Sequence, residues 1–224
     1  MSGRLLLVRH GQTASNVAHR LDSRPPGAPL TELGQSQAAA LAASLAGLDV
    51  VAVVSSVAVR AQQTAAPVAA AHRLGVQVRQ GLQETDAGAL EDRSDPPAHV
   101  EFAQVYGAWH SGQLDEALPD GDSGRDVLER FVPVLQALRA THLGTGVGTG
   151  DTARSVVVIS HGAAIRLVGA VLGGVDCRFA MANALDNTEA VVLEPTDDGW
   201  RCAQWGRFSP PFTPPEHPVV DDGT

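Results

Sequence analysis

The chain has 224 residues and a mass of 23.2 kDa, long enough to bury a core without disulfide or metal staples. Its 44% hydrophobic and 18% charged residues argue against a disordered chain, and the formal net charge of -9 argues against a basic binder of nucleic acid. All 16 basic residues are arginine, which excludes lysine Schiff-base chemistry and leaves forked recognition of oxyanions open. The start, MSGRLLLVRHG, offers only Leu5 to Val8 as an apolar run, too short for a signal peptide or a membrane span, so a soluble cytoplasmic protein is expected. Cys177 and Cys202 match no zinc or redox spacing and are read as small core fillers.

Residues 4–8 read as a central strand buried on both faces. Thr31 precedes a helix from Glu32 to Ala46, with Leu33, Ala40, Leu41 and Leu45 at near-helical spacing and Gly47 as its stop. A buried strand follows at 50–54, then a helix over 58–73 that Pro67 should kink or restart, then a short strand at Val76 to Val78. Residues 86–121 show no sustained period and are expected as loops and short helices inserted over one end of the sheet. A long helix is predicted from Ser123 to His142, with Val127, Phe131, Val134, Leu135 and Leu138 on one face. The glycine-rich run 144–150 reads as a flexible loop, because it precedes a strand and lacks the lysine of a phosphate-binding P-loop. A buried strand at 155–160, a helix to about Leu172 and strands near 188–193 and 200–206 complete one domain over 1–207. A Pro-rich surface tail covers 208–224. Strand and helix alternation predicts an α/β fold with a mostly parallel sheet.

Two segments share one grammar, an apolar strand, a polar residue and then His-Gly: LLLVRHG at 5–11 and VVVISHG at 156–162. The carboxyl ends of parallel strands open on one crevice, so His10 and His161 can converge there although about 150 residues separate them. A single His-Gly is as well explained by a turn. Arg60 alone reads as a solvated helix residue, Thr13 and Asn16 as helix caps, and Glu84 competes with Asp86 in one polar loop. No His-x-His, His-x-x-His or acidic cluster flanks either histidine, so no metal site is expected.

With five motifs in order, the chain resembles the histidine phosphatase, or phosphoglycerate-mutase-like, superfamily. These are R-H-G-x-T-x-x-N (Arg9, His10, Gly11, Thr13, Asn16), PLT-x-x-G-x-x-Q at 29–37, SS-x-x-x-RA-x-QTA at 55–65, L-x-E-x-x-x-G at 82–88 and SHG-x-x-IR at 160–166. The resemblance implies a three-layer α/β/α fold and a phosphohistidine mechanism without metal or other cofactor. By it, His10 is the nucleophile, Arg9, Arg60 and His161 are phosphate ligands, Thr13, Asn16 and Gly162 lie with them, and Glu84 is the general acid. The chemistry agrees: a transferring phosphoryl group needs several cationic or N–H donors, a neutral imidazole is nucleophilic near pH 7, and a carboxyl beside a phosphate dianion tends to keep its proton.

Ser15-Asn16 in place of Trp-Asn, LQETDAG in place of an E-R-H-Y-G-like run, and the absence of lysine point away from the mutase branch. Gly121, Asp122 and Ser123 stand for the usual G-E-S, GALED at 88–92 replaces G-x-W-E-G, and RLDSRPPGAP at 20–29 departs from the family's turn, with Arg24 as an extra anion contact. The expected activity is hydrolysis of a small phosphorylated metabolite. A cofactor-dependent phosphoglycerate mutase and a non-catalytic binder of phosphorylated ligands are the alternatives. Neither nucleic acid nor membrane is expected as a partner, and a homodimer is left open.

Overall fold

The structure, a computed structural model, describes residues 3–143 and 154–214. The strands are β1 (Gly3–Arg9), β2 (Asp49–Ser55), β3 (Val76–Val78), β4 (Arg154–Ser160), β5 (Ala190–Thr196) and β6 (Gly199–Trp205). They form one mixed sheet in the order β3-β2-β4-β1-β5-β6. The first four are mutually parallel, while β5 runs antiparallel to β1 and β6 antiparallel to β5. Alternation in β1 divides the core: Leu5 and Leu7 face one apolar cluster, Leu6 and Val8 the other. Against the second face lie α2 (Glu32–Leu45) and α3 (Val59–Ala71). Against the first lie α4 (Pro96–His110), α5 (Gly124–Leu138), α6 (Gly162–Gly173) and α7 (Cys177–Ala182). This is the three-layer α/β/α arrangement, and α1 is the single turn Ala14–Val17 after β1.

The predicted strands and the longest predicted helices are present, with corrections that have physical causes. In α2, Leu33 is 53% exposed and Ala40 also faces water; Ala38, Leu41, Ala42 and Leu45 are the packed face. The helix expected over 58–73 runs Val59–Ala71 through Pro67 without a restart. The segment 86–121 contains, besides a 3₁₀ turn at Gly88–Leu90, the 15-residue α4. Asp95 caps α4 by accepting the Ala98 N–H and Pro96 opens it, but only Ala98, Tyr106 and Trp109 are buried, so no apolar stripe marks it. In α5 the predicted stripe is the packed face, and Ser123 and Asp126 close a capping box. Residues 139–143 continue as one π turn.

Cys202 is a core filler, whereas Cys177 opens α7 half-buried; both are free thiols. The proline-rich segment lacks regular structure over 209–214, yet its aromatics are docked, with Phe208 and Phe212 centred 5.5 and 5.2 Å from the Phe179 ring. The glycine-rich run 144–150 and residues 215–224 lie outside the described residues. No helix among the described residues is long and apolar enough to cross a membrane.

Candidate active site

In the register of the two central strands Arg9 lies opposite Ser160, so the next residues, His10 and His161, emerge side by side at the carboxyl edge of the sheet. The His10 N–H donates to the Ser160 carbonyl (3.0 Å), and the imidazole centroids are 5.2 Å apart at an interplanar angle of 63°. His10 is 4% exposed and His161 fully buried. The doubled His-Gly segments therefore do converge.

The His10 ring is fixed at both nitrogens. Nδ1 lies 2.7 Å from the Gly11 carbonyl, which can only accept, so Nδ1 carries the proton and Nε2 the lone pair. The Nε–H of Arg60 donates to that Nε2 (3.1 Å). Around this pair the other motif residues shape the loop. Thr64 Oγ1 accepts from the Gly11 N–H (3.0 Å), Gln37 Oε1 from the Gln12 N–H (2.8 Å) and Gln63 Oε1 from the Leu30 N–H (2.8 Å). Gly11 and Gly34 are required by closeness: a Cβ on Gly11 would stand 2.6 Å from the Gly34 carbonyl oxygen, and one on Gly34 would collide with the Gln12 carbonyl. Arg60 is 2% exposed, and two of its other donors go to Asp22, Nη2 to the main-chain oxygen (2.8 Å) and Nη1 to Oδ1 (3.4 Å).

His161 Nε2 pairs with Ser56 Oγ at 2.7 Å, while its buried Nδ1 has no protein partner. Arg9 is anchored by Nη1 donating to the Leu185 carbonyl (2.6 Å). Glu84 sits at the N-terminus of α6, where Oε1 accepts from the Thr85 and Ala164 N–H groups (both 2.9 Å) and Oε2 from Ala163 (3.2 Å). Arg130 of α5 holds the loop that carries it, donating to the carbonyls of Gly81, Gln83 and Glu84 and to the Asp122 carboxylate.

These groups surround a cavity of about 220 Å³ lined by Arg9, His10, Thr13, Asn16, Arg60, Glu84 and Gly162, whereas His161 is fully buried and does not itself line it. Thr13 and Asn16 do form the capping box of α1, so the cap reading of that pair holds; Asn16 Oδ1 also receives an N–H from Asn187, which donates to the His10 carbonyl. Gly162 leaves room for Arg9, whose Nε would lie 3.4 Å from a Cβ there. Asp86 does not line the cavity. It pairs with Arg24 on the surface (3.1 Å), which also removes Arg24 as an anion contact.

Lining or supporting residues that carried no role in the sequence include Arg20, Asp22, Arg130, Arg166 and Asn187. Arg166 stood inside SHG-x-x-IR, and its guanidinium lies 5.0 Å over the Tyr106 ring at the cavity wall. Among the described residues no group of three or more His, Cys, Asp or Glu is arranged to hold a metal ion.

Burial, then the charge of Arg60, pushes the His10 imidazole well below its ordinary pKa, and the Gly11 carbonyl only partly offsets this. Burial, Arg60 and His10 do the same to His161. Both are neutral at pH 7. Burial also draws Arg9 and Arg60 below the ordinary arginine value, opposed at Arg9 mainly by Glu84 and at Arg60 by Asp22. In the unfolded chain both imidazoles take up protons below about pH 6.5, which the folded chain refuses. Stability present at pH 7 is therefore expected to fall as pH drops through 6.5, by at most about 2 kcal/mol per histidine at pH 5. Urea unfolding at pH 7 and pH 5 measures this. Equal stability at both would mean that the two rings are charged in the fold.

Comparison with known families gives a match to the histidine phosphatase superfamily (branch 1) over residues 5–207. The chain belongs to that superfamily. As a histidine phosphatase it is 32% identical over 169 residues to glucosyl-3-phosphoglycerate phosphatase of Mycobacterium tuberculosis, covering 75% of this chain and 74% of that one. It is also 32% identical over 208 residues to a PE-PGRS family protein of the same organism, covering 88% of this chain and 35% of the relative. The histidine phosphatase chain thus spans about a third of that relative's length. A probable phosphoglycerate mutase of Yersinia pestis is 26% identical over 199 residues, covering 89% and 88%. Among solved structures, "Mycobacterial hydrolase 1" superposes with a TM-score of 0.78 at 28% identity over 93% of this chain and all of that one. A vanadate complex of the mycobacterial glucosyl-3-phosphoglycerate phosphatase gives 0.74 at 30% identity, covering 91% and 99%.

Proposed function

We propose that this histidine phosphatase hydrolyses phosphomonoesters of small metabolites through a phosphohistidine on His10 Nε2, without a metal. One observation carries the reading. In a protein of net charge -9, the cavity at His10 gathers Arg9, Arg20, Arg60 and Arg166 against only Asp22 and Glu84, a cationic pocket around a neutral imidazole whose lone pair meets a guanidinium N–H.

In this reading the phosphoryl oxygens take the donors of Arg9 and Arg60 and the unpartnered His161 Nδ1, and Arg60 Nε releases His10 Nε2 to them. Nε2 attacks phosphorus as the ester oxygen departs on the opposite side. Glu84, as general acid, passes a proton to the leaving oxygen. Water then attacks the phosphohistidine, Glu84 takes up its proton, and inorganic phosphate and neutral His10 remain. Residues 86–121 contribute Ala87 and Phe102 to the lining of the cavity.

The test is phosphate release over a panel of sugar phosphates, glycerate phosphates, nucleotides and phosphopeptides, run with EDTA and with vanadate. Hydrolysis of small phosphomonoesters that survives EDTA and is inhibited by vanadate is expected, since vanadate takes the trigonal-bipyramidal shape of the transition state. Isomerisation of phosphoglycerate exceeding phosphate release would move the enzyme to the mutases. Activity lost to EDTA and restored by a divalent ion would overturn the metal-free mechanism.

A further inference from the structure

The acids lining the cavity are Glu84, the proposed proton donor, and Asp22, which that chemistry does not use. Asp22 is an odd residue to find against an oxyanion pocket, because a fixed negative charge repels the ligand. Its contacts explain its presence. Arg60 is 2% exposed, and a guanidinium so deeply buried needs a counter-charge when no ligand is bound. The Asp22 carboxylate, 13% exposed, supplies it at 3.4 Å, and the Asp22 main-chain oxygen accepts a second Arg60 N–H. The chain after Asp22 then wraps the guanidinium. Asp22 Oδ2 accepts the Ala28 N–H (2.9 Å), and Gly27, at φ +67°, comes so close that any Cβ would collide with Arg60 Nη1. A third donor, Arg60 Nε–H, goes to His10 Nε2. A phosphoryl group that takes Nε or the Asp22-facing side of Nη1 must therefore compete with the His10 lone pair or the Asp22 carboxylate.

We infer that Asp22 is a positioning residue that acts through Arg60 as an internal counter-anion. It holds the guanidinium over His10 in the empty site, yields it to the substrate phosphoryl group, and takes it back when inorganic phosphate leaves, so it lowers oxyanion affinity and promotes product release. The inference rests on the phosphatase reading. A merely structural Asp22, tying down residues 22–28 through the Ala28 N–H, makes a different forecast, because asparagine keeps that acceptor.

Titration calorimetry with inorganic phosphate at pH 7 separates the two. Asp22→Asn is expected to bind phosphate about tenfold more tightly than wild type, the effect of removing one competing ion pair. KM and kcat are expected to fall together as product release slows. Asp22→Glu, which keeps the charge, is expected to stay near wild type, and in an Arg60→Gln background Asp22→Asn is expected to give no gain. Equal or weaker phosphate binding by a folded Asp22→Asn protein overturns the inference and leaves the phosphatase reading intact. Absence of both phosphate binding and phosphate release in wild type overturns both. If the asparagine protein does not fold, Asp22→Ser removes the same charge and is held to the same outcomes.

Discussion

His10→Ala is expected to lower phosphomonoester turnover by at least about 10⁴-fold, the scale on which deleting a covalent nucleophile acts when its neighbours are left in place. The proton on Nδ1, pinned by the Gly11 carbonyl, leaves Nε2, against the Arg60 guanidinium, as the nucleophilic atom of the ring, and burial keeps it unprotonated. Rapid quenching with labelled substrate is expected to trap label on wild type, labile in acid and stable in alkali as a phosphoramidate is. His10→Ala is expected to trap none. Removing the ring also strips Arg60 Nε of its acceptor, so thermal melting of the mutant is the necessary control. Label that persists on folded His10→Ala would move the nucleophile elsewhere, and His161 Nδ1, buried and unpartnered, would be the next atom to examine.

Glu84→Gln is expected to slow single-turnover phosphorylation by an alkyl phosphate about 10²- to 10⁴-fold, and by p-nitrophenyl phosphate far less. An aliphatic alkoxide is nearly as basic as hydroxide and leaves poorly without a proton, whereas nitrophenolate departs as the anion. The structure adds a condition. Glu84 accepts three backbone N–H groups through both oxygens, so its amide would keep one accepting oxygen and turn an NH₂ toward donors at the start of α6, at a cost of about 1 kcal/mol or more in stability. That cost falls on both substrates alike, and the difference between them isolates proton donation. Equal losses would mean that Glu84 only shapes the N-terminus of α6. Asp86, turned to Arg24 at the surface, is poorly placed to replace it.

What was legible in the sequence follows from how local each signal is. β1 and β4 are continuous apolar runs because both their faces are covered, and α5 declares itself through the Ser123 cap and a stripe from Val127 to Leu138. The His-Gly doublets foretold the convergence of His10 and His161 because the residue after a parallel strand's end emerges at the sheet's carboxyl edge. α4 hid because three buried residues in 15 set no period. Asp22, Arg130 and Asn187 hid for another reason: each works on a partner far along the chain. Arg130 grips carbonyls 46 to 49 residues upstream, and Asn187 bonds a carbonyl 177 residues away. Nothing beside them in the sequence registers those contacts.

Strand order has a consequence for how the protein is made. β4 lies between β1 and β2, so the two strands that leave the ribosome first have no hydrogen bonds to each other and wait for residues 154–160 to bridge them. A nascent chain that ends before Arg154 already carries Arg9, His10, Arg60 and Glu84, yet β1 and β2 present bare edges and apolar faces. Such a chain has the proposed nucleophile and proton donor but neither His161 nor Arg166. Catalytic competence thus arrives with the threading of one late segment into the middle of the sheet, a slow, non-local event, and during that interval the chain is most exposed to aggregation and to chaperones.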